Sequence, residues 1–133
     1  MSDESRILAG ILLLSLVTVE TGGLYMVKLW KSSDGVTPFQ IGFARAGHAH
    51  AGVLLILGLL CQVYADQTEL TGGLDWLARS GVPAAALLMP AGFFAASAGK
   101  GRDTPNRFVA MVYAGGLVLA AGLSTLGLGL LTA

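Results

Sequence analysis

Four long runs of apolar residues dominate the chain, each set off from the next by a short cluster of charge. The charges gather at the amino end, between Lys28 and Arg45, between Asp66 and Arg79, and between Lys100 and Arg107. The apolar runs cover roughly residues 7–27, 46–64, 81–98 and 108–131. Each is close to the ~20 residues that cross a ~30 Å hydrocarbon core as a helix. The pattern predicts an all-α protein, an integral membrane up-down bundle of four helices, in a single domain over residues 1–133.

Composition supports this reading. Hydrophobic residues make up 54% of the chain and charged residues 12%, against about 25% charged in a soluble domain. The formal net charge is zero, so nothing points to nucleic acid. The first run opens with Asp3 and Glu4 as well as Arg6, is longer than a signal-peptide core, and lacks a small-residue cleavage site. It is read as retained. The single cysteine, Cys61, lies within a span and has no partner for an internal disulfide, so it reads as packing.

The loops orient the bundle. Loop one carries Lys28, Lys31 and Arg45, and loop three carries Lys100, Arg102 and Arg107. Loop two carries Asp66, Glu69 and Asp75 against Arg79 alone. The positive-inside rule then puts loops one and three in the cytoplasm and both termini outside. The expected location is the bacterial cytoplasmic membrane, with the lipid bilayer as the first partner. Within loop one, Ser32-Ser33-Asp34-Gly35 and Thr37-Pro38 read as turns, and Phe39, Gln40, Ile41 and Phe43 as an interfacial segment leading into span two. Trp30, Trp76, Tyr25 and Tyr64 suit the headgroup layer.

Spans three and four carry stripes of small residues: Ala84, Leu88, Gly92 and Ala96; Ala91, Ala95 and Gly99; and Gly116, Ala120 and Ser124. Such stripes let helices approach closely in lipid. They serve internal packing, or leave one face for a homo-oligomer. Pro90 inside span three removes the bond to the Ala86 carbonyl and should kink the helix.

The candidate chemistry sits in Arg45-Ala46-Gly47-His48-Ala49-His50-Ala51-Gly52. Both histidines of the chain lie here, and a titratable imidazole in a bilayer persists because it binds, ligates or relays something. Residues two apart are separated by about 200° around a helix, so His48 and His50 cannot hold one metal together. Gly52 lies one turn beyond His48, and Gly47 near His50; either leaves room for a flat macrocycle or a neighbouring backbone. Glu20 is the only acid within a span. It lies ~12 Å from the inner end of span one and the histidines ~5–8 Å from that of span two, so the depths are comparable. A Glu20–histidine pair would orient the ring and raise its basicity, or carry protons. Arg45 reads as a snorkelling topology anchor or as a partner for a heme propionate. Met26, Met89 and Met111 are thioether candidates for iron or Cu(I), though a methionine in an apolar span is usually core.

The run Phe43-Ala44-Arg45-Ala46-Gly47-His48-Ala49-His50-Ala51-Gly52, leading into Leu54-Leu55-Ile56-Leu57-Gly58, resembles a histidine-bearing helix of the heme–copper oxidase and nitric-oxide reductase superfamily. The likeness covers about one helix. It implies heme ligation by transmembrane histidines. The superfamily's oxygen-reducing site needs histidines on several helices, so what carries over is ligation of a single heme by His48 or His50. The whole chain is also similar to small four-helix bacterial membrane proteins of unassigned function.

Three functions remain open at this point. The first is a heme b protein for electron transfer, heme handling or gas binding, with copper as the alternative metal, and with His48 preferred because of Gly52. The second is an oligomeric proton or metal-ion pathway through His48, His50 and Glu20. The third is an accessory subunit of a larger respiratory membrane complex. Nucleophilic catalysis has no support: Ser15 and Ser124 lack any Asp–His chain.

Overall fold

A computed structural model describes residues 1–133. It is all-helical: α1 (Asp3–Lys31), α2 (Pro38–Ala65), α3 (Gly72–Ser97) and α4 (Val109–Leu131). All four are long and apolar enough to cross a membrane.

α1 and α2 start ahead of their apolar runs, and both starts are capped. Ser2 accepts from the Ser5 amide at the head of α1. Thr37 and Gln40 form a reciprocal capping box at the head of α2, with Pro38 in the first turn. The expected interfacial segment Phe39–Phe43 is therefore the first turns of α2 itself. Likewise Asp75, Trp76 and Arg79, expected in a loop, stand on α3.

The helices pack in series: α1 on α2, α2 on α3, α3 on α4. The core cluster draws on Leu54, Leu55, Cys61 and Ala65 of α2, on Ala78, Val82, Ala85 and Ala86 of α3, and on Leu126 of α4. From α1 it takes only Leu12. The tightest contact is between α3 and α4. A Cβ on Gly81 would lie 2.7 Å from the Gly122 Cα, so neither helix tolerates a side chain there. The buried glycines of α4 are Gly115, Gly122 and Gly129, a seven-residue spacing. Gly116, Ala120 and Ser124, expected as the packing stripe, lie one residue round: Ala120 and Ser124 are exposed, and nothing approaches Gly116. On α3, Gly92 and Ala96 of the expected stripe are buried as foreseen.

Two prolines lie inside α3, Pro83 and Pro90. Pro83 has no amide hydrogen, so the Arg79 carbonyl one turn back loses its helical partner. Gln62 of α2 supplies the missing bond, its Nε2 donating to that carbonyl at 2.8 Å. The sequence reading weighed Pro90 and passed over Pro83.

The two ends differ in charge. At one, Gln40 donates to the Ser97 and Gly99 carbonyls and Thr37 donates to that of Arg102, joining the α1–α2 and α3–α4 connections. This is the basic end. At the other, the head of α1 meets the α2–α3 connection around Asp66, Asp75 and Arg79.

Candidate functional site around His50

The two histidines face different neighbours, as a 200° separation requires. His48 is half-buried against α1, where Gly22 and Gly23 make room for its ring. A Cβ on Gly22 would fall 3.0 Å from its Nδ1. That double glycine was not recognised as the histidine's seat, because its register against α2 appears only in the folded chain.

His50 looks the other way, toward α3. Its ring lies 4.9 Å from that of Phe93, which in turn meets Phe43 edge-on at 5.4 Å. Its Nδ1 is 2.7 Å from the Ala46 carbonyl. A carbonyl only accepts, so Nδ1 donates to it, and Nε2, which makes no hydrogen bond within the chain, is left for another partner. Beside it is a groove of about 160 Å³ lined by Ala49, His50, Val53 and Leu54, with no second polar side chain.

The other expected site residues scatter. Gly47 is buried on Phe93 and Phe94, where a Cβ would come within 2.9 Å of the Phe94 ring. A Cβ on Gly52 would meet only Val19 of α1, at 4.0 Å. The room expected beside Gly47 is thus filled by α3, and that beside Gly52 is bounded by α1. This removes the reason for preferring His48 and leaves the open side to His50. Arg45 is exposed, about 140° around α2 from His50, so the two do not share a face. Glu20 is exposed and takes part in none of the ion pairs, and it makes no bond to either imidazole. Met89 and Met111 pack against Gly115 and Gly92 in the α3–α4 seam. No group of three or more His, Cys, Asp or Glu side chains could hold a metal ion.

A polar cluster that the sequence reading used only for orientation closes the acidic end. Arg79, nearly buried, donates from Nε to both oxygens of Asp75 at 2.8 and 2.9 Å. From Nη1 it donates to Asp66 at 2.7 Å, and also to Ser2 and Ser5. Ser5, fully buried, donates to Asp66 and to the Gln62 carbonyl. Burial alone would raise the Asp66 carboxyl, but hydrogen bonds from Arg79, Ser2 and Ser5 outweigh it and hold the group well below the usual carboxylate range. The Asp75–Arg79 spacing of four residues was the available signal. The cluster ties the head of α1 to α2 and α3.

A larger cavity, about 440 Å³, opens at the basic end between Tyr25, Gln40, Ala44, Phe94, Ser97 and Lys100. It holds neither histidine.

No protein family, curated protein or solved structure matches the chain.

Proposed function

We propose that the chain is a multi-pass membrane protein that presents His50 as an axial ligand to one heme b. The observation that carries the reading is the Nδ1–Ala46 bond. It holds the ring through Nδ1 and leaves Nε2 without a hydrogen bond on a side chain that lines an apolar groove, and an imidazole held at Nδ1 ligates iron through Nε2. A porphyrin brings four nitrogens of its own and asks the protein for one or two ligands. That suits a chain without a cluster of metal-binding side chains. A copper ion, by contrast, would need further ligands that the groove lining does not provide. Beyond His50, the groove lining of Ala49, Val53 and Leu54 would hold the group by apolar contact alone. The function is electron transfer, heme handling or gas binding.

The up-down arrangement across a bacterial cytoplasmic membrane, termini outside, rests on the gathering of Lys28, Lys31, Lys100, Arg102 and Arg107 at the end joined by Gln40 and Thr37. The test is the absorption spectrum of protein purified in mild detergent after expression with ample heme. Wild type and His48→Ala should carry a Soret band, and His50→Ala should lose it. A wild type without the band, or a His50→Ala protein that keeps it in full, overturns the reading.

A further inference from the structure

We propose that the open flank shared by α1 and α2 is the contact surface for a second copy of this chain, closed by reciprocal Glu20–Arg45 ion pairs. The surface borders the His50 groove, with which it shares Ala49, but it is argued from the two charges and needs no heme.

Position on the helices puts the two charges together. Gly22 lies opposite His48, Val19 opposite Gly52, and Leu12 opposite Gly58, so α1 and α2 run in opposite directions with a fixed register. Tyr25 lines the basic-end cavity with Phe94 and Ser97, so its flank of α1 faces α3. Counted through Gly22 and Val19, which meet α2, Glu20 lies about 220° around α1 from Tyr25, so it stands on the opposite flank. On α2, Gly47 meets α3, and His48 and Gly52 meet α1. Arg45 and Ala49 follow next around the helix, beyond the α1 contact. Glu20, Arg45 and Ala49 therefore lie on one side of the α1–α2 pair, away from α3, and all three are exposed.

This surface is poorly suited to lipid. Glu20 stands about eight residues, ~12 Å, inside the apolar run. An isolated carboxylate at such depth is costly. Its neighbours cannot satisfy it, because the Ser15, Thr18 and Thr21 hydroxyls donate to carbonyls of their own helix.

A second copy answers this better than an unrelated partner, because the flank carries one acid and one base and is complementary to itself. A twofold axis along the membrane normal keeps both copies at one depth. It lays α1 of each along α2 of the other. Glu20 then falls over Ala49, whose small side chain leaves room. Glu20 is level with about residue 50, so Arg45 stands about five residues, ~8 Å, toward the basic end, within the combined reach of an extended Glu and Arg side chain. Gly42, exposed and with nothing near it, adds room one heptad below Ala49.

Trans-complementation tests the arrangement. Dimer formation is followed by energy transfer between labelled copies in phosphatidylcholine vesicles, with helicity checked by circular dichroism. Wild type should associate. Glu20→Arg and Arg45→Glu should each weaken association by at least about tenfold, because like charges meet. A mixture of the two variants should restore it, since both pairs in the mixed dimer again join opposite charges. Pairing within one chain predicts no rescue on mixing. A monomeric wild type, unweakened single variants, or a mixture without rescue overturns the proposal. If the reversals lose helicity, Ala49→Trp decides: it should abolish association while Leu117→Trp, exposed on α4, leaves it unchanged. Equal association of both tryptophan variants also overturns it.

Discussion

α1 and α3 are both long apolar helices, yet they sit in opposite circumstances. α3 is gripped on two sides, by α2 through Gln62 and Pro83 and by α4 through Gly81 and Gly122. α1 touches α2 alone along most of its length and is tied at its head by Ser2 and Ser5. Mean hydropathy does not distinguish them in the expected direction: the exposed helix is the more apolar, 2.0 against 1.4. A membrane helix with lipid on most sides must be greasy throughout, whereas one enclosed by other helices can give its surface to glycine, alanine and proline. In the proposed membrane setting, apolar character reports contact with lipid, and small residues report contact with protein.

The largest test of that contrast is a pair of glycine substitutions. Gly122→Leu must push α3 and α4 apart against backbone, and should cost more than the ~1–3 kcal/mol of ordinary overpacking. Gly10→Leu on α1, where nothing lies within 4 Å of the missing Cβ, should cost under ~0.5 kcal/mol. Thermal unfolding in detergent compares the two, and equal losses would erase the distinction.

Next in size is the tie at the head of α1. Arg79→Ala leaves Asp66, Asp75 and Ser5 without their shared donor and should cost about 2–4 kcal/mol. Amide exchange over the first three turns of α1 should rise while α3–α4 stays protected. The pH dependence has a definite sign. The folded pKa of Asp66 lies below its unfolded value, so its contribution is complete above about pH 4 and is lost as the pH falls below that. Wild type should loosen α1 in acid over that range, and Arg79→Ala, having lost the main partner, should show much less of the effect. A wild type insensitive to acid would contradict the assignment.

The smallest effect concerns the α2–α3 grip. Gln62→Leu strands the Arg79 carbonyl and should cost about 1–2 kcal/mol. In a Pro83→Ala background the restored amide hydrogen reclaims that carbonyl, and the same change should cost measurably less. Equal costs in both backgrounds would show that Pro83 plays no part.

Much of the fold was legible because a run of about twenty apolar residues has few alternatives to a helix. The ends were less so. Thr37 and Gln40 carry a capping signature, but beside Pro38 they read as a turn. The faces were legible only as angles. The separation of His48 from His50 follows from helix geometry, whereas the neighbour each meets depends on how helices far apart in sequence come together. That is why the room expected at Gly47 was filled by α3 and that at Gly52 bounded by α1, why Gly22 and Gly23 went unnoticed, and why the α4 stripe was placed at a spacing of four instead of seven. The Arg79 cluster joins three segments, of which only the Asp75–Arg79 pair is local.

The bond from Gln62 to the Arg79 carbonyl also bears on how the helices find their places. Two apolar helices meeting in lipid can slide and rotate past one another with little change in dispersion energy, since leucine against leucine resembles leucine against an acyl chain. A proline removes one donor at a single height on α3, and a glutamine offers one at a single height on α2. The two act as an index mark and its pointer. At any other offset along the axis the carbonyl stays bare and one N–H of the amide, whose other bond goes to Gly58 of its own helix, loses its partner, each a penalty of kilocalories in hydrocarbon. A backbone vacancy thus becomes a positional code that otherwise interchangeable greasy surfaces lack.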